Sequence, residues 1–98
     1  MNDVQLKIDE TKRGEFVIEE DQRPLGTMKV HLEENNLVVD GTVVEKEARG
    51  RNIGKKLIEA MADHARTNHY QVVPHCPFVR GQFEKHPEDY SDIWKKSA

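Results

Sequence analysis

Val4, Leu6 and Ile8 alternate with Gln5, Lys7 and Asp9, the two-residue period of a half-buried strand. Phe16 and Ile18 repeat the pattern between Gly14 and Glu20, and Met28, Val30 and Leu32 alternate with Lys29 and His31. The polar stretches 20–24 and 33–36 predict turns, with Pro24 fixing its own φ in the first. Leu37-Val38-Val39 and Val43-Val44 make a nearly continuous apolar strand, a pattern that predicts burial on both faces. Short polar connections between such strands predict an antiparallel meander.

From Asn52 the period changes. Ile53, Leu57, Ile58, Met61, Ala62 and Ala65 recur at helical spacing, so one stripe is expected to face the sheet. Asn52 is placed to cap this helix, and His64, Arg66 and His69 lie toward its C-terminal end as solvated residues. Tyr70–Val73 reads as a short strand closed by Pro74, parallel to 37–44 through a helical crossover. Residues 77–85 predict a second helix with Phe78 and Phe83 as apolar contacts, broken by Pro87. A last helical turn is expected over Ser91–Lys96, with Tyr90, Ile93 and Trp94 docked on the core. The elements add up to an α/β fold: a mixed, mostly antiparallel sheet packed with helices.

Chain length fits a single domain, 1–98, with a modest core. The chain is 36% hydrophobic and 34% charged, with a mean hydropathy of -0.82. The apolar residues fall in periodic blocks, which excludes the disordered class. A net charge of -3 argues against a nucleic-acid partner. No apolar run is long enough for a bilayer, and the N-terminus lacks the basic start and apolar stretch of a signal peptide. The lone Cys76 cannot form an intrachain disulfide, which fits a reducing compartment. These features predict a cytoplasmic monomer with neither membrane nor nucleic-acid partners.

Against this acidic background one short segment is basic. In Arg49-Gly50-Arg51-Asn52-Ile53-Gly54-Lys55-Lys56, glycines and cations meet at the start of the amphipathic helix. Glycine lets the backbone turn tightly and approach a ligand closely. The first N–H groups of a helix have no intrahelical partner and favour an anion. The expected ligand is a phosphate or pyrophosphate. Scattered histidines and one cysteine lack metal-ligand spacing, so no metal is predicted.

The order of four strands, an Arg-Gly turn, helix, strand and helix resembles the GNAT superfamily of acetyl-coenzyme A-dependent N-acetyltransferases. Arg49-Gly50-Arg51-Asn52-Ile53-Gly54 matches their Gln/Arg-x-x-Gly-x-Gly/Ala motif, with Asn52 in place of the first glycine. The segment Val72-Val73-Pro74-His75-Cys76-Pro77-Phe78 and the following Phe83, His86-Pro87-Glu88 and Tyr90 are similar to short, single-domain members of the YjdJ type. The resemblance covers roughly residues 14–95. It implies a reduced GNAT-like fold that binds acetyl-CoA or CoA and acetylates an amine, with a protein or peptide amine among the candidates. It implies that the pantetheine arm lies along Thr42, Val43 and Val44 as an added strand, with the pyrophosphate on the N–H groups of Arg51 to Lys55. It also raises Cys76 from a small buried hydrophobe to a candidate nucleophile, which would need an accessible thiol. Where transfer is direct, Cys76 would only line the pocket, with His75, Glu45 or water as base. Relatives carry a histidine before the strand-four threonine, where this chain has Gly41. Its length leaves out the acceptor-pocket elements of larger members, and a non-catalytic acyl-CoA-binding module is the alternative.

Overall fold

The computed structural model describes residues 4–95. Strands β1 (Val4–Ile8), β2 (Arg13–Glu20), β3 (Arg23–Glu33) and β4 (Asn36–Val44) form the predicted antiparallel meander. A short 3₁₀ turn at Lys46–Ala48 leads into α1 (Ile53–Thr67), which crosses back to β5 (Gln71–Pro74). β5 pairs with β4 in parallel, so the five-stranded sheet has the order β1-β2-β3-β4-β5. Helices α2 (Pro77–Lys85) and α3 (Pro87–Tyr90) follow, separated where Pro87 cannot continue α2.

Cross-strand partners Phe16 and Met28, and Val30 and Val39, turn to one face of the sheet. There they form a single core with the buried stripe of α1, Ile53, Leu57, Ile58, Met61, Ala62 and Ala65, and with Val79 and Phe83 of α2. Both helices therefore cover the same face. The alternate residues Lys7, Glu15, Lys29 and His31 point to the other face, where no described helix packs. The hairpin turn at residues 9–12 joins β1 directly to β2, with the Asp9 carboxylate accepting from the Thr11 and Arg13 N–H groups.

Four sequence expectations are corrected. Burial of the fourth strand on both faces holds only for Leu37–Val39, because Val43 is 60% exposed. Pairing with β5 stops at Val39, so β4 leaves cover on that side halfway along. Asn52 makes no side-chain cap; it adopts φ 61°, a left-handed conformation that Asn tolerates better than most residues. The last helical turn lies earlier than expected, at Pro87–Tyr90, since Pro87 is preset for a first helical position. Residues 93–95 instead run beside β5: Val72 N–H donates to Ile93 O and Lys95 N–H to Val72 O. Lys96 lies outside the described residues. His64 is half-buried rather than solvated, its ring 5.8 Å from both Phe16 and Tyr70, and burial lowers its pKa.

On the helix-free face, β4 bulges by one residue at Asp40. Asp40 Oδ2 sits 2.7 Å from His31 Nδ1, and Glu33 Oε2 2.9 Å from Nε2. These hydrogen bonds, Asp40's first, raise the His31 pKa above 6.5. The contribution of the pair to stability is then complete below the unfolded value and lost as pH rises through the raised folded value. Thermal midpoints of wild type and His31→Gln should differ more at about pH 6 than at about pH 9. The effect should be small, because both carboxylates are exposed.

Candidate functional site

The basic turn folds as a compact left-handed corner. Gly50 has φ 88° and open space where a Cβ would project, and Asn52 follows at φ 61°. Successive left-handed and helical residues turn N–H groups to one side, the geometry of an anion nest. Arg51 N–H is already spent on Ala48 O, whereas Lys56 N–H begins the helical ladder on Asn52 O. The N–H groups of Ile53, Gly54 and Lys55 are thus the ones left without an intrahelical acceptor.

The cations of this turn divide. Arg51 lies 3.0 Å from Glu20 at the tip of the β2–β3 hairpin, and that hydrogen bond and charge raise its pKa. Arg23 of the same hairpin pairs with Glu47 just before the turn. Two ion pairs therefore tie the hairpin to the turn, and Arg51 is engaged within the protein. Among the described residues, Arg49, Lys55 and Lys56 have no carboxylate partner. Glu20 is distant in sequence, which is why the turn read as uninterrupted positive charge.

A groove of about 970 Å³ opens beside the turn and runs along α1 toward α3. Val44, Arg49, Gly50, Asn52, Ile53, Gly54 and Lys55 line it, so most of the predicted binding residues come together. Thr42, Val43, Arg51, Lys56 and Cys76 do not line it. Val43 points to the opposite face, away from Thr42 and Val44, as alternation along a strand requires. The opposite wall of the groove comes from Phe78, Gln82, His86 and Tyr90. Of these, Phe78, expected as an apolar contact of α2, is 40% exposed. Its place on the first, solvent-facing turn of α2 was the available signal. At the far end, exposed His86, Glu88 and Asp89 bring possible ligand atoms within 4.8 Å of one another.

Cys76 occupies the N-cap position of α2, and its N–H donates to Val39 O, the last rung before β4 and β5 part. Its Sγ is 3.4 Å from Thr42 Oγ1, which joins two residues 34 apart in sequence at the free half of β4. The thiol is not the accessible group a nucleophile was expected to be, because Cys76 is 3% exposed. Pro77, at the first helical position, and the Val39 rung hold it beneath the α2 terminus. His75 is exposed next to it, and Arg80 Nε donates to Pro74 O.

No described helix is long and apolar enough to cross a membrane. No curated protein matches the sequence. Among solved structures, a Staphylococcus aureus protein described as a GCN5-like candidate N-acetyltransferase superposes with a TM-score of 0.72 at 27% identity, over 100% of this chain and 94% of its own. A ribosomal-protein-alanine N-acetyltransferase from Brucella melitensis gives 0.62 at 24% identity, over 92% of this chain and 66% of its own. An aminoglycoside N-acetyltransferase in complex with CoA gives 0.55 at 13% identity, over 89% and 71%, a likeness of fold. The family model for GCN5-related N-acetyltransferases matches residues 15–93, from β2 through the groove to the bridge beside β5, and the chain belongs to that family.

Proposed function

We propose that the protein transfers an acetyl group from acetyl-CoA to an amine. The observation that carries this reading is the groove itself. One end offers the N–H groups of Ile53–Lys55 with Arg49 and Lys55 for a pyrophosphate, beside a half-strand of β4 that has lost its parallel neighbour. An extended arm can hydrogen-bond to such an edge as a strand does. The residues present suit the coenzyme: a left-handed corner with open space over Gly50, then an apolar wall at Val44 and Ile53.

The amine would attack the thioester carbonyl, the C–S bond would break, and the coenzyme thiolate would take up the proton the amine gives off. In the variant through Cys76, the thiol loses its proton and its thiolate accepts the acetyl group, the departing CoA thiolate takes up that proton, and the amine then takes the acetyl from Sγ while its own proton returns to the Cys76 thiolate. The Thr42–Cys76 contact at the free half of β4 supports a place for the thiol near the reacting carbon. Cys76 together with Pro77 and Phe78 also supports assignment to the short YjdJ-type subgroup. The second reading, a non-catalytic acyl-CoA-binding module, is favoured by the buried thiol and by the tight β1–β2 turn, which leaves one sheet face without helices.

Incubation with acetyl-CoA alone separates these readings. The covalent route predicts one acetyl group on Cys76, matched by an equal release of CoA thiol and absent in Cys76→Ala. Thiol release only when an amine is supplied would instead support direct transfer. Tight binding with neither adduct nor amine-dependent release would leave the binding module.

A further inference from the structure

Phe78 is one of few large apolar side chains left exposed among the described residues, and its ring lies across the first turn of α1. A β-carbon built on Gly54 would come within 2.7 Å of the ring's Cζ and 3.0 Å of Cε2. No real Cβ tolerates such contacts, so residue 54 must be glycine while the ring rests there. The usual reason for a glycine at this place in the turn is close approach of a phosphate, but here an aromatic ring fills that space. Phe78 thus bridges the two helix N-termini where the groove meets the parting strands. On the groove side lie Arg49 and Lys55; Cys76 and Thr42 do not line the groove.

Resting on the coenzyme reading, we propose that Phe78 is the residue that selects the coenzyme's pantetheine arm, through the arm's methyl and methylene groups. Without ligand its ring closes on Gly54. As the arm enters toward the edge of β4, the ring turns off Gly54 and packs on the arm instead. An exposed aromatic ring changes rotamer in picoseconds to nanoseconds, so opening does not limit the rate. The exchange is selective because it returns apolar contact to the ring only when an apolar segment takes the vacated place. A nucleotide that ends at its phosphates offers the ring nothing.

Calorimetry on the intact chain tests this with two probes: CoA, and adenosine 3′,5′-bisphosphate, which lacks the arm. Phe78→Ala should weaken CoA about tenfold, the equivalent of about 1.4 kcal/mol, while leaving the bisphosphate within about twofold. Phe78→Leu, which keeps an apolar side chain, should retain most of the CoA affinity. Circular dichroism should give all variants the wild-type helix content, since Phe78 is outside the buried core. Unchanged CoA affinity in Phe78→Ala, or equal loss for both probes, would overturn the role of Phe78. Wild-type protein that binds neither probe would overturn the coenzyme reading as well.

Discussion

Phe83→Ala is expected to cost about 3–5 kcal/mol, enough to leave much of the protein unfolded at physiological temperature. Phe83 is fully buried on α2. Its ring stacks on Tyr90 of α3, with centroids 4.6 Å apart and planes 18° from parallel, and meets Trp94 edge-on at 5.6 Å. Alanine would remove the apolar area and leave a cavity that α3 and the segment beside β5 can fill only by shifting. Each kcal/mol moves the melting midpoint of a domain this small by about 4–8 °C, so a thermal scan reads the change directly. Tyr90 also lines the groove. A milder substitution, Phe83→Leu, should therefore lower coenzyme affinity together with stability. A midpoint within about 3 °C of wild type for Phe83→Ala would show that the aromatic group does not hold α3 in place.

Neutralising Arg49 and Lys55 together is expected to weaken CoA binding roughly 30-fold. Charge-assisted hydrogen bonds to a phosphate contribute about 1.5–3 kcal/mol each when well formed. Both side chains are exposed, so about 1 kcal/mol each is the reasonable share, and the sum of about 2 kcal/mol gives that factor. Arg51→Gln should change affinity less than about threefold, because Glu20 already engages its guanidinium. Added salt should narrow the gap between wild type and the double variant, since the Debye length falls from about 10 Å at 0.1 M to about 3 Å at 1 M. Calorimetry at two salt concentrations checks all three statements. An Arg51→Gln loss equal to that of Arg49→Gln would mean that Glu20 releases Arg51 to the ligand.

The meander was legible because its first three strands alternate, and the turns between its strands hold the polar residues. The helix at 53–67 was equally legible, since six apolar residues keep one 3.6-residue stripe and all six are buried. The exposure of Val43 was not. Leu37-Val38-Val39 and Val43-Val44 look equally apolar on either side of Asp40-Gly41-Thr42, and only the end of the parallel pairing at Val39 shows where cover stops. The C-terminal segment was misread for a related reason. Ser91–Lys95 has no period of its own; turn hydrogen bonds to Pro87 and Tyr90 shape its start, and two backbone hydrogen bonds with Val72 hold Ile93 and Lys95 beside β5.

For the site, the turn could be read because its chemistry is local. Its glycines, its cations and the unpaired N–H groups of a helix start all come from adjacent residues. Those properties, with the strand and helix periods, are what the sequence by itself determined: the order of elements, the core stripe, and a basic, glycine-bearing corner between β4 and α1. Tertiary structure alone decided which cations remain free, because Glu20 reaches Arg51 from a hairpin tip 31 residues away. It alone buried Cys76 against Thr42, and it alone laid Phe78 over Gly54. Each of these depends on where β5 and α2 dock against β4 and α1. Docking is set by the shape and packing of the whole core, which neither periodicity nor composition encodes at a single position.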